Sequence, residues 1–376
     1  MTREQSDETE EILDILDLPP LYLQPPLATL LATLDLLAIP PPSWDLPSSA
    51  SAPDSPCAAA PTVQIRGNPA PWLTSLVSSP LRWLSDDTAR EMVWETASVR
   101  LAERCGRTAM PAIDRAFRVA DDVAIKIHEP TLDGDNLGLK TWGAAYALAK
   151  RMAGDEGMQA VIRDCLYPTG DSNTVGDMNG NTTAARVLEL GAGTGLAGLA
   201  LANTAHDSRP LHVHLTDLPE IMPNLDRNVA LNATSLPPSV TISTGILDWR
   251  IHTSPDAAID THKPTAGSEH DRKYPLIIAA DPIYSADHPA WLTTVVAGWL
   301  QPSTTARFIV ELPLRKLFTR DVEAFRDTMH KAGFVAVDSG TETARDDWGD
   351  GGEAMQCWWA VYAWGNATDS GCPGSS

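Results

Sequence analysis

The chain has 376 residues, 49 of them acidic and 28 basic, for a formal charge of −21. An acidic excess of that size argues against a surface that grips phosphate through lysine and arginine, so direct nucleic-acid binding is not expected. With 43% hydrophobic residues the chain can build a substantial core, which excludes disorder throughout.

Residues 1–39 hold an acidic lead and then Leu27, Leu30, Leu31, Leu34 and Leu37, whose steps of three and four predict a helical segment. Residues 40–61 are rich in Pro, Ser and Ala and read as an extended linker. A helical accessory region is expected over 62–115, its clearest helix at 85–107 with Asp86 and Asp87 near the start to complement the dipole. Two short strands, 116–119 and 123–127, flank the turn Asp121-Asp122, and a helix follows over 141–152. Residues 168–183, rich in Gly, Asn, Asp and Thr, read as a surface loop.

Beyond residue 185 the pattern alternates. Strands are expected at 186–190, 211–216, 240–246, 276–280 and 307–312, with helices at 196–203, 220–232, 289–300 and 320–332. Two last strands, 334–338 and 356–364, have no long helix between them, and 251–273 reads as a loop insertion. The fold class is therefore α/β: a seven-stranded, mostly parallel sheet with helices on both faces, an antiparallel closing pair, and a flexible tail over 365–376.

The five cysteines, at 57, 105, 165, 357 and 372, form no CxxC pair, so zinc ribbons and dithiol redox chemistry lack their spacing and no metal is expected. The N-terminus is acidic and polar without a signal pattern, and no run of roughly 18 uncharged apolar residues occurs. A soluble cytoplasmic protein, monomeric and without membrane contact, is the expectation.

The strongest constellation is Val187-Leu188-Glu189-Leu190-Gly191-Ala192-Gly193-Thr194-Gly195-Leu196, a buried strand running into three glycines and then a helix. Glycine lets the backbone turn tightly and approach a ligand without a Cβ in the way. Asp217 closes the next strand, where a carboxylate can accept both hydroxyls of a ribose. An adenosine-containing cofactor follows. Gly193, Gly195 and Gly198 also fit the dinucleotide spacing, which keeps NAD open. Glu189 favours S-adenosylmethionine instead: an acid beside the glycines attracts a sulfonium or amino group and would repel a pyrophosphate.

These residues resemble motif I of the seven-strand S-adenosylmethionine-dependent methyltransferases. Leu215-Thr216-Asp217-Leu218-Pro219 with Asn224 and Asn228, Leu247-Asp248-Trp249, and Ala280-Asp281-Pro282-Ile283-Tyr284 are similar to further motifs of protein-lysine methyltransferase family 16, the last to its DxxY signature. Leu137-Gly138-Leu139-Lys140-Thr141-Trp142-Gly143 resembles the entry segment of that family, and the likeness spans about 116–364, the expected methyltransferase domain. The stretch Glu103 to Pro111 is similar to the fungal branch that methylates a lysine of translation elongation factor 2. The resemblance implies cofactor contacts at Trp142, Gly191, Ala192, Gly193, Asp217, Leu218, Trp249 and Ala280, to which the charge argument adds Glu189. A tryptophan that merely packs is the competing reading at Trp142 and Trp249.

Asp281 follows a buried strand at the same sheet edge as Gly191 and Asp217. Methyl transfer to an amine needs a neutral nitrogen in line with the methyl carbon and little else. Asp281 can hold and orient the amine, and Tyr284 can bond it or wall its channel; a loop acid that caps backbone N–H groups is the bland alternative for Asp281. Ile283 stands where nucleobase and glutamine methyltransferases carry a second proline, which turns the expectation toward lysine. Glu311, Asp346, Asp347, Asp350 and Glu353 could form an acidic rim, each more readily a solvated acid, and His128 and His288 read as structural. The function expected is a protein-lysine N-methyltransferase acting on elongation factor 2. A small-molecule N-methyltransferase, a non-catalytic interaction module and an NAD-binding protein are the alternatives.

Overall fold

The computed structural model describes residues 12–39, 64–105, 109, 111–131, 137–168, 184–204, 209–254, 273–345 and 354–365. The linker 40–61, the loop 168–183 beyond its first residue, most of 251–273, the acids at 346–353 and the tail beyond 365 lie outside them. The chain divides into two compact units, one up to Ile113 and one from Asp114 onward.

The first unit contains strand β1 (Ile12–Asp14), helix α1 (Leu27–Leu36), strand β2 (Gln64–Arg66), and helices α2 (Ala70–Ser78) and α3 (Asp87–Ala102). The leucine stripe does its expected work: Leu30, Leu34 and Leu37 are fully buried against Leu73, Leu76, Val93 and Ala97. Asp86 caps α3 by accepting from the Thr88 N–H at 3.1 Å. Three indoles satisfy carbonyls that prolines and turns leave over, Trp72 donating to Pro19, Trp83 to Pro25 and Trp94 to Ser79 at 2.9–3.0 Å. Arg100 and Arg104 of α3 and the segment after it do the same for the last carbonyls of α1, at Leu34 and Leu37. The region is not purely helical as expected. β1 and β2 pair in parallel, Ile12 opposite Gln64, across a separation in sequence that no local pattern signals. α2 lies inside the region expected to be helical, with Pro71 in its first turn, where the missing N–H costs nothing.

The second unit begins with strands β3 (Ile113–Ala120) and β4 (Val123–Glu129), a two-stranded sheet, and helices α4 (Gly143–Gly154) and α5 (Glu156–Leu166). Then follow β5 (Ala185–Leu190), α6 (Leu196–Asn203), β6 (Leu211–Asp217), α7 (Met222–Asn232), β7 (Val240–Ile246), β8 (Leu276–Ala280), α8 (His288–Trp299), β9 (Arg307–Pro313), α9 (Thr319–Lys331), β10 (Phe334–Arg345) and β11 (Ala354–Trp364). The sheet has seven strands in the order β10-β11-β9-β8-β5-β6-β7, parallel from β9 through to β7 and antiparallel at β9–β11 and β11–β10. α5 was not expected. Asp155 nucleates it by accepting from the Met158 N–H at 2.9 Å.

Strand order reverses between β5 and β8: the chain winds outward through β6 and β7, then returns to β8 on the other flank of β5. Helices must leave a crevice at the carboxyl ends of those two strands, the usual ligand site of such a sheet. Alternate strand residues (Leu188, Leu190, Ile277, Ala279, Phe308, Val310 and Leu312) bury one face against Leu292, Val296, Phe325 and Met329 of α8 and α9. Opposite parity turns the other side-chain set toward α4, which packs on β8, β9, β10 and β11.

The β3–β4 hairpin is fastened by amide side chains. Asn224, Asn228 and Asn232 recur every four residues on α7 and are buried. Asn232 bonds both the N–H and the C=O of Lys126, at 3.0 and 2.7 Å. Asn228 does so for His128, at 2.7 and 3.2 Å, and Asn224 adds a bond of 3.0 Å to the same carbonyl. A carboxamide carries the donor and acceptor of a peptide group, so one helix face substitutes for a neighbouring strand along the edge of β4. Among the described residues no helix is long and apolar enough to cross a membrane.

Candidate active site

A cavity of about 440 Å³ opens at the carboxyl ends of β5, β6 and β8. The cofactor and catalytic candidates from the sequence line it: Trp142, Glu189, Gly191, Ala192, Gly193, Asp217, Leu218, Trp249, Ala280, Asp281 and Tyr284. Among the described residues no cluster of His, Cys, Asp and Glu could hold a metal.

The glycine turn is a folded necessity. Gly191, Gly193 and Gly195 have φ of +66°, +55° and +84°, the left-handed region that L side chains avoid. A Cβ on Gly191 would stand 3.1 Å from the Trp249 ring, and one on Gly193 would stand 3.1 Å from the Gly138 carbonyl oxygen. The turn is pinned to the next strand by Asp217, which accepts from the Gly193 N–H at 2.6 Å through Oδ2 and from the Leu218 N–H at 2.7 Å through Oδ1. Burial pushes the Asp217 carboxyl up to about 6, against the pull of those two N–H groups. Asn228 ties the same turn to the hairpin by donating to the Thr194 carbonyl at 3.0 Å.

Glu189 is buried, and its Oε2 accepts from the Gly198 N–H in the first turn of α6 at 2.9 Å. Burial raises its carboxyl to about 8. This placement separates the two cofactor readings. A pyrophosphate would need the N-terminus of α6, where the Glu189 carboxyl already takes the Gly198 N–H. A sulfonium and an amino group meet acids instead, Glu189 and Asp217 prominent among them. The bare cradle, the Asp217 carboxylate and the acids of the wall fit S-adenosylmethionine.

On the far side the construction changes. Asp281 has φ +50°, a strained value for a residue with a Cβ, held by its N–H donating to the Glu311 carbonyl at 2.9 Å. Its side chain is buried, and Oδ2 takes an ion pair at 3.0 Å from Arg315, in the turn after β9. The Arg315 guanidinium also lies 4.9 Å from the centre of the Trp142 ring, while the Trp142 indole N–H donates to the Leu137 carbonyl at 3.0 Å. Tyr284 meets His288 edge-on at 4.3 Å between ring centres, and His288 packs in turn against Trp249 at 5.9 Å and Trp291 at 5.6 Å. Burial holds the His288 imidazole below its usual range, so it is neutral near pH 7. Trp249 follows Asp248, whose carboxylate is locked by Arg250 at 2.5–3.1 Å and thereby kept more acidic than usual.

Two readings of the sequence need correction. His288 belongs to the cavity wall, where the turn that opens α8 brings it onto Tyr284. Glu311 is no rim acid. It is fully buried on the α4 face, beside Arg151 at 3.9 Å, and that arginine pairs with Glu342 at 2.7 Å. His128 is structural as expected, its Nδ1 2.6 Å from Asp114. Arg315, Trp291 and Arg250 were missed, since nothing in the sequence marks which arginine in a loop returns to an acid 34 residues away.

The fold and the cleft define a methyltransferase of the seven-strand class, with S-adenosylmethionine as its cofactor. The profile of the family described as lysine methyltransferase matches residues 119–323. The chain belongs to that family. It is 33% identical over 71% of its length to the protein-lysine N-methyltransferase EFM2 of Saccharomyces cerevisiae, and spans 58% of that relative, rather more than half. It is 29% identical over 90% of its length to the protein-lysine N-methyltransferase rrg1 of Schizosaccharomyces pombe, and spans 94% of it. A shorter match, 32% identical over 28% of this chain and 41% of the relative, is to the protein-lysine N-methyltransferase EFM6 of S. cerevisiae.

Proposed function

We propose that this chain is a protein-lysine N-methyltransferase whose substrate is translation elongation factor 2, acting in the cytoplasm as a monomer. In this reading Gly191, Ala192, Gly193, Asp217 and Leu218 hold the nucleoside, Trp249 and Ala280 flank its base, and Glu189 and Trp142 close the cationic end. Asp281 and Tyr284 form the acceptor side. The observation that carries the reading is the juxtaposition of the bare glycine turn with Asp281-Pro282-Ile283-Tyr284 across a single cavity walled by aromatic rings.

The cofactor supplies an activated methyl group. The chain's own residues position an amine and shed water. Tyr284 is 48% exposed at the mouth, suited to guiding a side chain that arrives from another protein. Trp291 and His288 present ring faces and edges that suit the aliphatic stem of a lysine. The elongation factor assignment is supported by the stretch Glu103 to Pro111, and the two longest relatives named above are protein-lysine N-methyltransferases.

The test is incubation of the purified protein with tritiated S-adenosylmethionine and recombinant elongation factor 2, beside a fungal lysate. Label on one lysine of elongation factor 2 is expected. Label on another protein would replace the substrate, and label only on small amines would replace the class.

A further inference from the structure

We propose that Arg315 is a positioning residue that cancels the charge of Asp281, so that the substrate lysine is held as a neutral amine instead of an ammonium ion; this rests on the lysine methyltransferase reading above. A carboxylate alone at that point would work against the reaction. An opposite charge within a few ångströms favours the protonated amine and raises its pKa. Lysine already titrates near ~10.4 in water, and only its unprotonated form has the lone pair that attacks. Nucleophilic displacement then forms the Nζ–methyl bond while the methyl–sulfur bond breaks, its electron pair returning to sulfur; the proton shed beforehand goes to water.

The pair is built to last. Arg315 Nη2 lies 3.0 Å from Asp281 Oδ2, and its guanidinium covers the Trp142 ring. The Arg315 carbonyl accepts from the Phe318 N–H at 2.9 Å and the Thr319 hydroxyl at 3.3 Å, and the adjacent Leu314 N–H is tied to the Gln356 carbonyl at 2.7 Å. Asp281 is fixed by its own N–H on Glu311. With both ends anchored, the arginine is a standing part of the wall. Paired in this way, Asp281 keeps acceptor lone pairs for the N–H of a neutral amine, and the guanidinium repels the ammonium form.

Other ionisable groups share the cavity: Glu189, Asp217 and Glu220 from the glycine side, Tyr284 and His288 after β8, and Lys140 before α4. The Asp248–Arg250 pair lies on the same wall. All are common to the variants compared, so a difference between variants isolates Arg315.

Single-turnover methylation of elongation factor 2 at saturating S-adenosylmethionine, followed from pH 6 to 10, provides the test. R315Q should move the rising limb up by about one pH unit, making it about 10-fold slower near pH 7.5 and nearly wild-type at pH 10. R315K should leave the limb in place, and D281N added to R315Q should bring it back. Asparagine tolerates the left-handed backbone at 281, so D281N alone remains informative if R315Q does not fold; its limb should then lie below wild-type. A readout without turnover is the affinity for elongation factor 2 with S-adenosylhomocysteine bound, which should tighten with pH in the wild type and by about 10-fold less in R315Q. Equal slowing at every pH, with the limb unmoved and the affinities parallel, would overturn the proposal. Absence of lysine labelling by the wild type would instead remove the lysine methyltransferase reading itself.

Discussion

The two halves of the cleft solve the same problem with different materials. At the carboxyl ends of β5 and β6 the acids are satisfied by backbone: Glu189 by Gly198 N–H, and Asp217 by Gly193 and Leu218 N–H. At the end of β8 the acid is satisfied by a side chain, Arg315, and the walls are rings packed on rings. Backbone donors are fixed by the fold and cannot be exchanged without remaking the turn, which suits a ligand that never changes. Side-chain partners can be replaced one at a time, which suits a half that must adapt to a particular acceptor.

That contrast is broken most sharply by exchanging its two acids. Asp217→Ala removes the acceptor of two N–H groups together with the ribose ligand, and should weaken S-adenosylmethionine by 100-fold or more in calorimetry, about 3 kcal/mol. Asp281→Ala should leave that affinity within a few-fold and slow single-turnover methylation by about 10- to 100-fold. Equal loss of cofactor binding in both variants would erase the division. Next in size is Gly198→Ala. Its Cβ would lie 2.3 Å from both Glu189 Oε2 and Leu215 Cδ2, buried atoms with nowhere to retreat, so a loss of about 1–3 kcal/mol and a lower Tm are expected.

The same contrast explains what could be read in advance. The glycine turn, Asp217 and the strands themselves were legible because they are local: three positive φ values demand three glycines, and buried parallel strands read as short apolar runs. The DxxY segment was legible as an acid after such a run. Its partner was not, because the Arg315–Asp281 pair joins residues 34 apart in sequence by a contact that only the β8–β9 pairing creates. Glu311 was misplaced for a related reason. Strand parity, which sends it toward α4 and Arg151, is set by register, while its position at a strand end suggested a rim. The β1–β2 pair of the first unit is the extreme case, two three-residue strands with no pattern of their own.

A finer division is testable within α7. Asn228 serves both the hairpin and the glycine turn, whereas Asn232 serves the hairpin and Asn228 itself. Each change to alanine leaves buried peptide groups without a partner and should cost about 2–3 kcal/mol in urea unfolding. Only Asn228→Ala should also weaken cofactor binding, by about threefold to 10-fold, because only it releases the Thr194 carbonyl. Identical cofactor affinities in the two variants would show that the turn holds its shape without that bond.

The smallest effect concerns protons. Burial lifts Glu189 to about 8 and Asp217 to about 6, so near pH 7 the first is mostly neutral and the second mostly ionised. Both carboxyls bind a proton more tightly in the folded chain than in the unfolded one. Their contribution to stability is therefore fullest below about pH 4 and is lost as pH rises through about 6 and then about 8. Cofactor binding runs the other way, since a sulfonium favours the ionised acids and expels their protons. Affinity for S-adenosylmethionine should rise by up to about 10-fold between pH 6.5 and 8.5 and then level off. Glu189→Gln should flatten that rise while leaving the fall below pH 6, which belongs to Asp217. S-Adenosylhomocysteine, whose sulfur is uncharged, should show a shallower slope in the wild type. The difference between the two slopes, measured in one buffer series, assigns the effect to the charge on sulfur and to the acid that faces it.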